Sequence, residues 1–296
     1  MLSLAEHRVL TTSHLSALQQ RNTPALRRRM RVLASADLVW SSDAGLNERP
    51  GRPERIHSLT EKGAQLLQEK GVLSADVPPS QMTGRDIRCL GHLLFLNDVR
   101  VHLAMLGRVV PDLAVQFLSP GSLQPGAGSE AVPIIHERFH TQDGPDGLIE
   151  FTPDGVFTVS HAATGRALLF FLEADMGTEA LVSVRHRRRD VRQKITNYQA
   201  CFSLKRYKRY EGIFGGSFRG FRLLLAASSS ERHGALCELV RRMPPCDFIW
   251  LTDRDSMQSE GIWSAIWVRG GCPDRQLESI LGSQMPSPCP SPADVT

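Results

Sequence analysis

Apolar residues recur along this chain at two spacings, and the switches between them mark its elements. Leu26, Met30 and Leu33 fall three to four residues apart, the period of a helix with one buried stripe. That stripe leaves Arg27, Arg28 and Arg31 on the other faces. The stretch "NTPALRRRM" also carries a start signal, with Thr23 as cap and Pro24 at the first helical position. An earlier helix through "SHLSALQQ" begins at Thr11 or Thr12, and a later one, "TEKGAQLLQEKG", runs from Thr60 to Gly71. Between them, "DLVW" and "RIHSLT" read as extended segments joined by the Gly/Pro/Asn-rich "SSDAGLNERPGRPE".

Helix, helix, helix, strand, loop, strand, helix over residues 1–75 is the order of a winged helix-turn-helix. In that architecture a recognition helix enters the DNA major groove while the wing touches the backbone. Arg27, Arg28 and Arg31 then face DNA from the helix, with Arg52 and Arg55 beside the wing. Residues 76–130 hold a linker, "SADVPPSQMTG", and a bridging helix over 85–108 with Leu90, Leu94, Val101 and Met105 among its apolar positions. Residues 131–270 alternate strands (a 153–179 hairpin, "FRLLLAA", "DFIWLT", "SAIWVRG") with helices (184–204, "ERHGALCELVRRM"), which indicates a mixed sheet flanked by helices. The expected fold class is therefore α+β. Residues 271–296, with proline at every second position from 286 to 292, form an extended, disordered tail.

Composition removes several function classes. The chain has 296 residues, 41% hydrophobic and 22% charged, and no apolar run near the ~18 residues a membrane helix requires. Its N-terminus lacks the basic-then-apolar layout of a secretory signal, so a cytoplasmic location is expected, with no membrane partner. The six cysteines have no ligand spacing and read as isolated reduced thiols. No GxxxxGK[ST] or GxGxxG occurs, so nucleotide-driven chemistry has no support.

Net charge is only +4, but its distribution is uneven. Between Arg185 and Tyr210 ten Lys/Arg stand against one acid. On the 184–204 helix Val184, Val191, Ile195, Tyr198 and Phe202 make the buried stripe, leaving Arg185, Arg188, Arg189 and Arg192 on the opposite side. "KRYKRY" follows, and Lys205, Arg206, Tyr207 and Lys208 interleave cations with an aromatic ring, a pattern suited to backbone contact plus stacking. Double-stranded DNA is the expected partner.

The hairpin "PDGVFTVSHAATGRALLFFLEADMGTE" adds candidate chemistry. Pairing Ser160 with Ala167 makes opposed positions sum to 327, which sets Asp154 across from Glu173. Alternation puts Glu173 and Asp175 on one side of the strand, so three carboxylates converge, a donor set suited to Mg²⁺ or Mn²⁺. The same acids also fit an ordinary Pro-Asp-Gly turn and a solvated strand end. Lys194, on the border of the next helix, is in reach of Glu173 or Asp175, as catalytic group or as ion-pair partner.

The pattern "PDGVFTV…LLFFLEADMGTE…RQKITNYQACF" behind a unit ending "HSLTEKG" resembles the replication-relaxation family of plasmids and mobile elements, over most of residues 5–255. The resemblance implies a DNA-binding winged helix joined to a domain like the PD-(D/E)xK restriction-endonuclease fold. It makes Asp154 and Glu173 the metal ligands, and Asp175 stands where the nuclease pattern has lysine. The expected function is that of a DNA-binding accessory protein of replication, relaxation or mobilisation. The alternatives are a metal-dependent endonuclease using Asp154, Glu173, Asp175 and Lys194, and a transcriptional regulator with a non-catalytic second domain. A relaxase or replication initiator and a second copy of the chain are the further candidate partners.

Overall fold

The structure, a computed structural model, describes residues 1–43, 54–75, 77–84, 89–110, 112–125, 131–141, 147–183 and 190–282. The chain divides into two units, residues 1–105 and 106–296.

The first unit runs α1 (Leu2–His7), β1 (Val9–Thr11), α2 (Thr12–Gln19), α3 (Thr23–Ser35), β2 (Val39–Asp43), β3 (Arg55–Leu59), α4 (Glu61–Glu69), α5 (Pro79–Met82) and most of α6 (Leu90–Val109). Its antiparallel sheet has the order β1-β3-β2. Caps define the helices. Thr11 Oγ1 accepts from the His14 amide at 3.0 Å to start α2, and Thr60 does the same for Gly63 in α4. The α3 cap is Asn22 rather than Thr23, its Oδ1 accepting from the Ala25 amide, so Pro24 sits one place further in. Leu26 and Met30 turn inward onto Leu4, Leu10, Leu15, Val39 and Leu59, as their spacing predicts. The loop joining β2 to β3, with Arg52, lies outside the described residues.

The second unit continues with β4 (Leu113–Leu118), β5 (Leu123–Pro125), β6 (Ala131–Pro133), β7 (Glu137–His140), β8 (Leu148–Phe151), β9 (Gly155–His161) and β10 (Arg166–Asp175). Then come α7 (Val191–Ser203), a 3₁₀ turn at Arg206–Arg209, α8 (Tyr210–Phe214), β11 (Arg222–Ala227), α9 (Ser230–Arg241), β12 (Ile249–Asp253), α10 (Arg254–Glu260) and β13 (Val268–Arg269). Six strands form one mixed sheet, β13-β12-β11-β10-β9-β4. β10, β11 and β12 are parallel, with α7 and α9 as crossovers, while β9 and β4 add antiparallel. The chain is thus mixed α+β, as its sequence predicts.

Strand β10 is apolar on both faces because both are covered: Phe170, Phe171 and Leu172 are fully buried. Leu169 and Phe171 face Val191, Ile195 and Tyr198 of α7 in one continuous core. Its register with β9 follows the sum of 327, and the ladder runs one pair beyond Ser160–Ala167, to His161–Arg166. Gly155 opens β9 beside the Phe117 ring, where an added Cβ would stand 2.4 Å from it.

Three sequence expectations shift. β4 belongs to the main sheet, although residues 76–130 read as linker and bridge. The helix expected over 184–204 starts at Val191, capped by Asp190, and Arg185, Arg188 and Arg189 lie outside the described residues. The expected disordered tail begins too early at 271, because Ile280 and Leu281 are buried and the Ile280 carbonyl accepts from Arg222. The proline run itself lies outside the described residues. Among the described residues no helix is long and apolar enough to cross a membrane.

Candidate functional site

Each unit gathers charged side chains around a frame of regular structure. In the first, Arg27, Arg28, Arg29 and Arg31 are exposed along α3, whose apolar stripe holds the helix against the sheet. Arg27 and Arg31 line a groove of about 370 Å³ whose far wall is Ser41, Arg55 and His57 of the β2–β3 pair.

His57 does not add charge to this groove. Its Nε2 is 3.0 Å from Thr12 Oγ1 and its Nδ1 is 2.8 Å from Ser41 Oγ, and hydroxyls can serve a neutral ring as both donor and acceptor. Burial, then the Arg55 guanidinium, pushes its pKa down to about 4. The positive potential therefore comes from the arginines. Arg55 Nε is shielded from solvent with no hydrogen-bond partner among the described residues, the nearest carboxylate, Asp43, standing at 3.7 Å. A buried donor left without a hydrogen bond is costly, and the Asp43 charge offsets it among the described residues.

In the second unit the strand register brings Asp154 to Glu173. The Asp154 amide donates to the Leu172 carbonyl at 3.1 Å, and Asp154 Oδ2 accepts from the Ala174 amide at 2.8 Å. Glu173 is 4% exposed and both its oxygens are engaged: Tyr198 OH donates to Oε1 at 2.5 Å and Lys194 Nζ to Oε2 at 3.0 Å. Lys194 also reaches Glu179 at 3.3 Å. Residues 194 and 198 are one helical turn apart, so α7 presents ammonium and phenol together. Burial, then the Asp154 charge, raises the Glu173 carboxyl to about 7, against the pull of Lys194 and Tyr198. Burial alone would lower Lys194, but Glu173 and Glu179 outweigh it and hold the ammonium charged.

Asp175 does not join this pair. It makes a two-pronged bridge to Arg232 of α9, Nε to Oδ1 at 2.8 Å and Nη2 to Oδ2 at 3.0 Å, and its Oδ1 also accepts from the Gly177 amide. Among the described residues no group of three or more His, Cys, Asp or Glu is placed to hold a metal ion. Of the expected ligands Asp154 and Glu173 stay opposed, and any Mg²⁺ or Mn²⁺ there would have to displace Lys194 or Tyr198 from the Glu173 oxygens.

The remaining expected contacts divide. Arg192, Lys205, Arg206 and Lys208 are exposed, Lys208 pairing with Glu211 at 2.6 Å. Tyr207 is a correction: it is 3% exposed, with its hydroxyl on the Arg219 carbonyl, so its ring packs in the core and is not presented for stacking. Tyr210 is buried likewise, donating to Glu137, which Arg209 also holds. The sequence reading missed Tyr198, Glu179 and Arg232. Of these only Tyr198 left a signal, its spacing of four from Lys194.

The family model of the replication-relaxation proteins matches residues 1–216, which include the arginine groove, the Asp154–Glu173 pair and Lys194. The chain belongs to the replication-relaxation family. Membership puts it among proteins of replication and DNA relaxation, and β11 to β13 lie beyond the matched segment. No curated protein and no solved structure matches the chain.

Proposed function

We propose that this protein is a DNA-binding accessory factor of plasmid or mobile-element replication, relaxation or mobilisation, acting beside a relaxase or replication initiator. The first unit is read as a winged helix-turn-helix. Its helix–strand–helix–helix–strand–strand order with a β1-β3-β2 sheet fits that architecture, with α3 as recognition helix. The observation that carries the reading is the row of exposed arginines on α3 converging with Arg55 on one groove. Guanidinium groups bind phosphate in two-pronged fashion, and each neutralised phosphate releases counterions.

Fluorescence anisotropy with labelled duplex tests it. Affinity should fall steeply on a log–log salt plot, and the triple variant Arg27→Glu, Arg28→Glu, Arg31→Glu should weaken binding at least about a hundredfold, three arginine contacts at ~1 kcal/mol or more each. Unchanged affinity in a folded variant would remove α3 from the interface.

A second reading, a metal-dependent DNA endonuclease with a PD-(D/E)xK-like second unit, is favoured by the opposition of Asp154 and Glu173 with Lys194 at 3.0 Å. Asp154 and Glu173 would hold Mg²⁺ or Mn²⁺, which would supply Lewis-acid activation of phosphate and water. Lys194 would stand where positive charge offsets the charge developing on phosphate, the role Asp175 cannot fill. Supercoiled plasmid incubated with protein and either metal should then be nicked, and Glu173→Ala should abolish nicking. Intact plasmid at every metal concentration leaves the accessory reading alone.

A further inference from the structure

A second concavity, apart from the carboxylates, lies in the second unit. It occupies about 900 Å³ at the end of the sheet where β10, β11 and β12 begin, while Glu173 and Asp175 sit where β10 ends. That volume is within the range of ~300–1,000 Å³ typical of small-ligand pockets. Arg166, Arg219, Arg222 and Arg269 line it, against a single carboxylate, Asp247. Asp247 is already committed, with Arg269 at 3.5 Å and Arg275 at 3.3 Å from Oδ1, and Glu278, 3.7 Å from Arg269, is a further acid beside these cations, so arginine outnumbers carboxylate. The net field inside is therefore positive.

The walls between these cations are aromatic. Phe202 presents its partly exposed ring, stacked on the buried Phe248 with ring centres 4.5 Å apart, and Trp250 is buried with Arg222 over its ring. Arg222 lies 4.3 Å from the centre of the Trp250 ring and donates to the Ile280 carbonyl at 3.2 Å, so its guanidinium is fixed rather than swinging in solvent. The Arg219 side chain, in contrast, is exposed at the rim and enters no ion pair among the described residues. A fixed cation, a free cation and flat apolar walls match one ligand chemistry: a nucleotide, whose base needs an apolar slot and whose phosphate needs arginine.

We infer that this cavity is a nucleotide-binding site that takes up an unpaired nucleotide of single-stranded DNA, separate from duplex contact by the first unit. Relaxation and replication both expose single strands, so the site gives a family member a hold on the product state. The inference goes beyond the duplex reading and stands without it.

The test uses the full chain, fluorescein-labelled oligo(dT) and a labelled duplex of equal length, with thymidine monophosphate as competitor. The exposed changes Arg166→Glu with Arg219→Glu should weaken oligo(dT) binding by roughly tenfold or more, the scale of one lost arginine contact. Ser217→Trp, at the exposed rim of the cavity, should do the same by obstruction. Duplex affinity should stay within about threefold in both, since that contact belongs to α3. Equal losses for duplex and single strand, or an unchanged oligo(dT) affinity in both folded variants, overturn the inference. Competition by millimolar thymidine monophosphate identifies a free nucleotide as sufficient, and competition by unlabelled oligo(dT) alone assigns recognition to the strand; either outcome keeps the nucleotide chemistry. The triple α3 variant should lose duplex and keep oligo(dT), which separates failure of this site from failure of the duplex reading.

Discussion

Glu173 shows what one residue's surroundings decide. It is a fully buried carboxylate beside another acid, so it keeps its charge only through Lys194 and Tyr198. Removing one partner of such a pair costs more than the pair itself contributes, because a buried charge is left behind. We expect Lys194→Met to destabilise the second unit at pH 8 by about 1–3 kcal/mol, below the ~3–5 kcal/mol of a fully buried pair because Lys194 is partly exposed. At pH 5 Glu173 is protonated and the loss should shrink. Urea denaturation at the two pH values checks this, and equal losses would mean that the pair does not govern the site. The opposition of Asp154 and Glu173 was readable from the hairpin, since two apolar runs around a short turn leave few registers. The reach of Lys194 was readable from its place on the helix border. The Tyr198 hydroxyl was passed over despite its spacing of four from Lys194, because hydrophobic periodicity counts tyrosine as an apolar ring. The capture of Asp175 by Arg232, 57 positions later, was not readable, since only the parallel pairing of β10 with β11 sets α9 beside it.

At the scale of elements, caps decide where helices can act. Asp190, itself extended, starts α7: its Oδ1 accepts from the Gln193 amide at 2.8 Å and its Oδ2 from the Ser183 amide at 2.6 Å. One side chain thus sets the helix start and ties down the segment leading from β10. Asp190→Ala should cost about 1–2 kcal/mol, the upper range for a lost cap because the Ser183 amide is also left unpaired, and Asp190→Asn less. Thermal unfolding of the two variants measures the difference, and a negligible effect for Ala would show that α7 is held by its core face alone. The sequence reading began this helix at 184 because Val184 fits the stripe, and it passed over the start signal in "DVRQ". The α3 start was off by one place for a related reason: Asn22 and Thr23 both cap well, and Pro24 is tolerated at either of the first two positions. Element types survived these slips, since Leu26/Met30 and Ile195/Tyr198 keep their stripes whichever residue caps.

On the scale of the whole molecule, buried groups in the two units answer acid in opposite directions: His7 and His57 in the first, Glu173 in the second, where His233, lowered by burial, partly offsets it. Burial, then Arg100, lowers His7 to about 3, and burial, then Arg55, lowers His57 to about 4, against an ordinary 6.5. Below pH 6.5 the unfolded first unit binds protons that the folded unit refuses. Its stability is thus present above 6.5 and drains as pH falls toward 4, at up to about 1.4 kcal/mol per pH unit for each histidine. Glu173 works the other way. Its folded value of about 7 lies above the ordinary 4.5, so the folded second unit holds a proton that the unfolded chain has released. That contribution is complete below 4.5 and is lost as pH rises through 7. Between pH 7.5 and 5 the first unit should therefore lose stability while Glu173 adds to the second. Hydrogen exchange, corrected for the intrinsic pH dependence of amide exchange, reads both units in one sample. Protection in β1, β3 and α3 should fall on acidification, while protection in β9, β10 and α7 should hold or rise. His57→Gln should reduce the first response, His7 carrying the rest, and Glu173→Gln should reduce the second, each leaving the other in place. A parallel loss across both units would mean that some other set of groups controls the acid response.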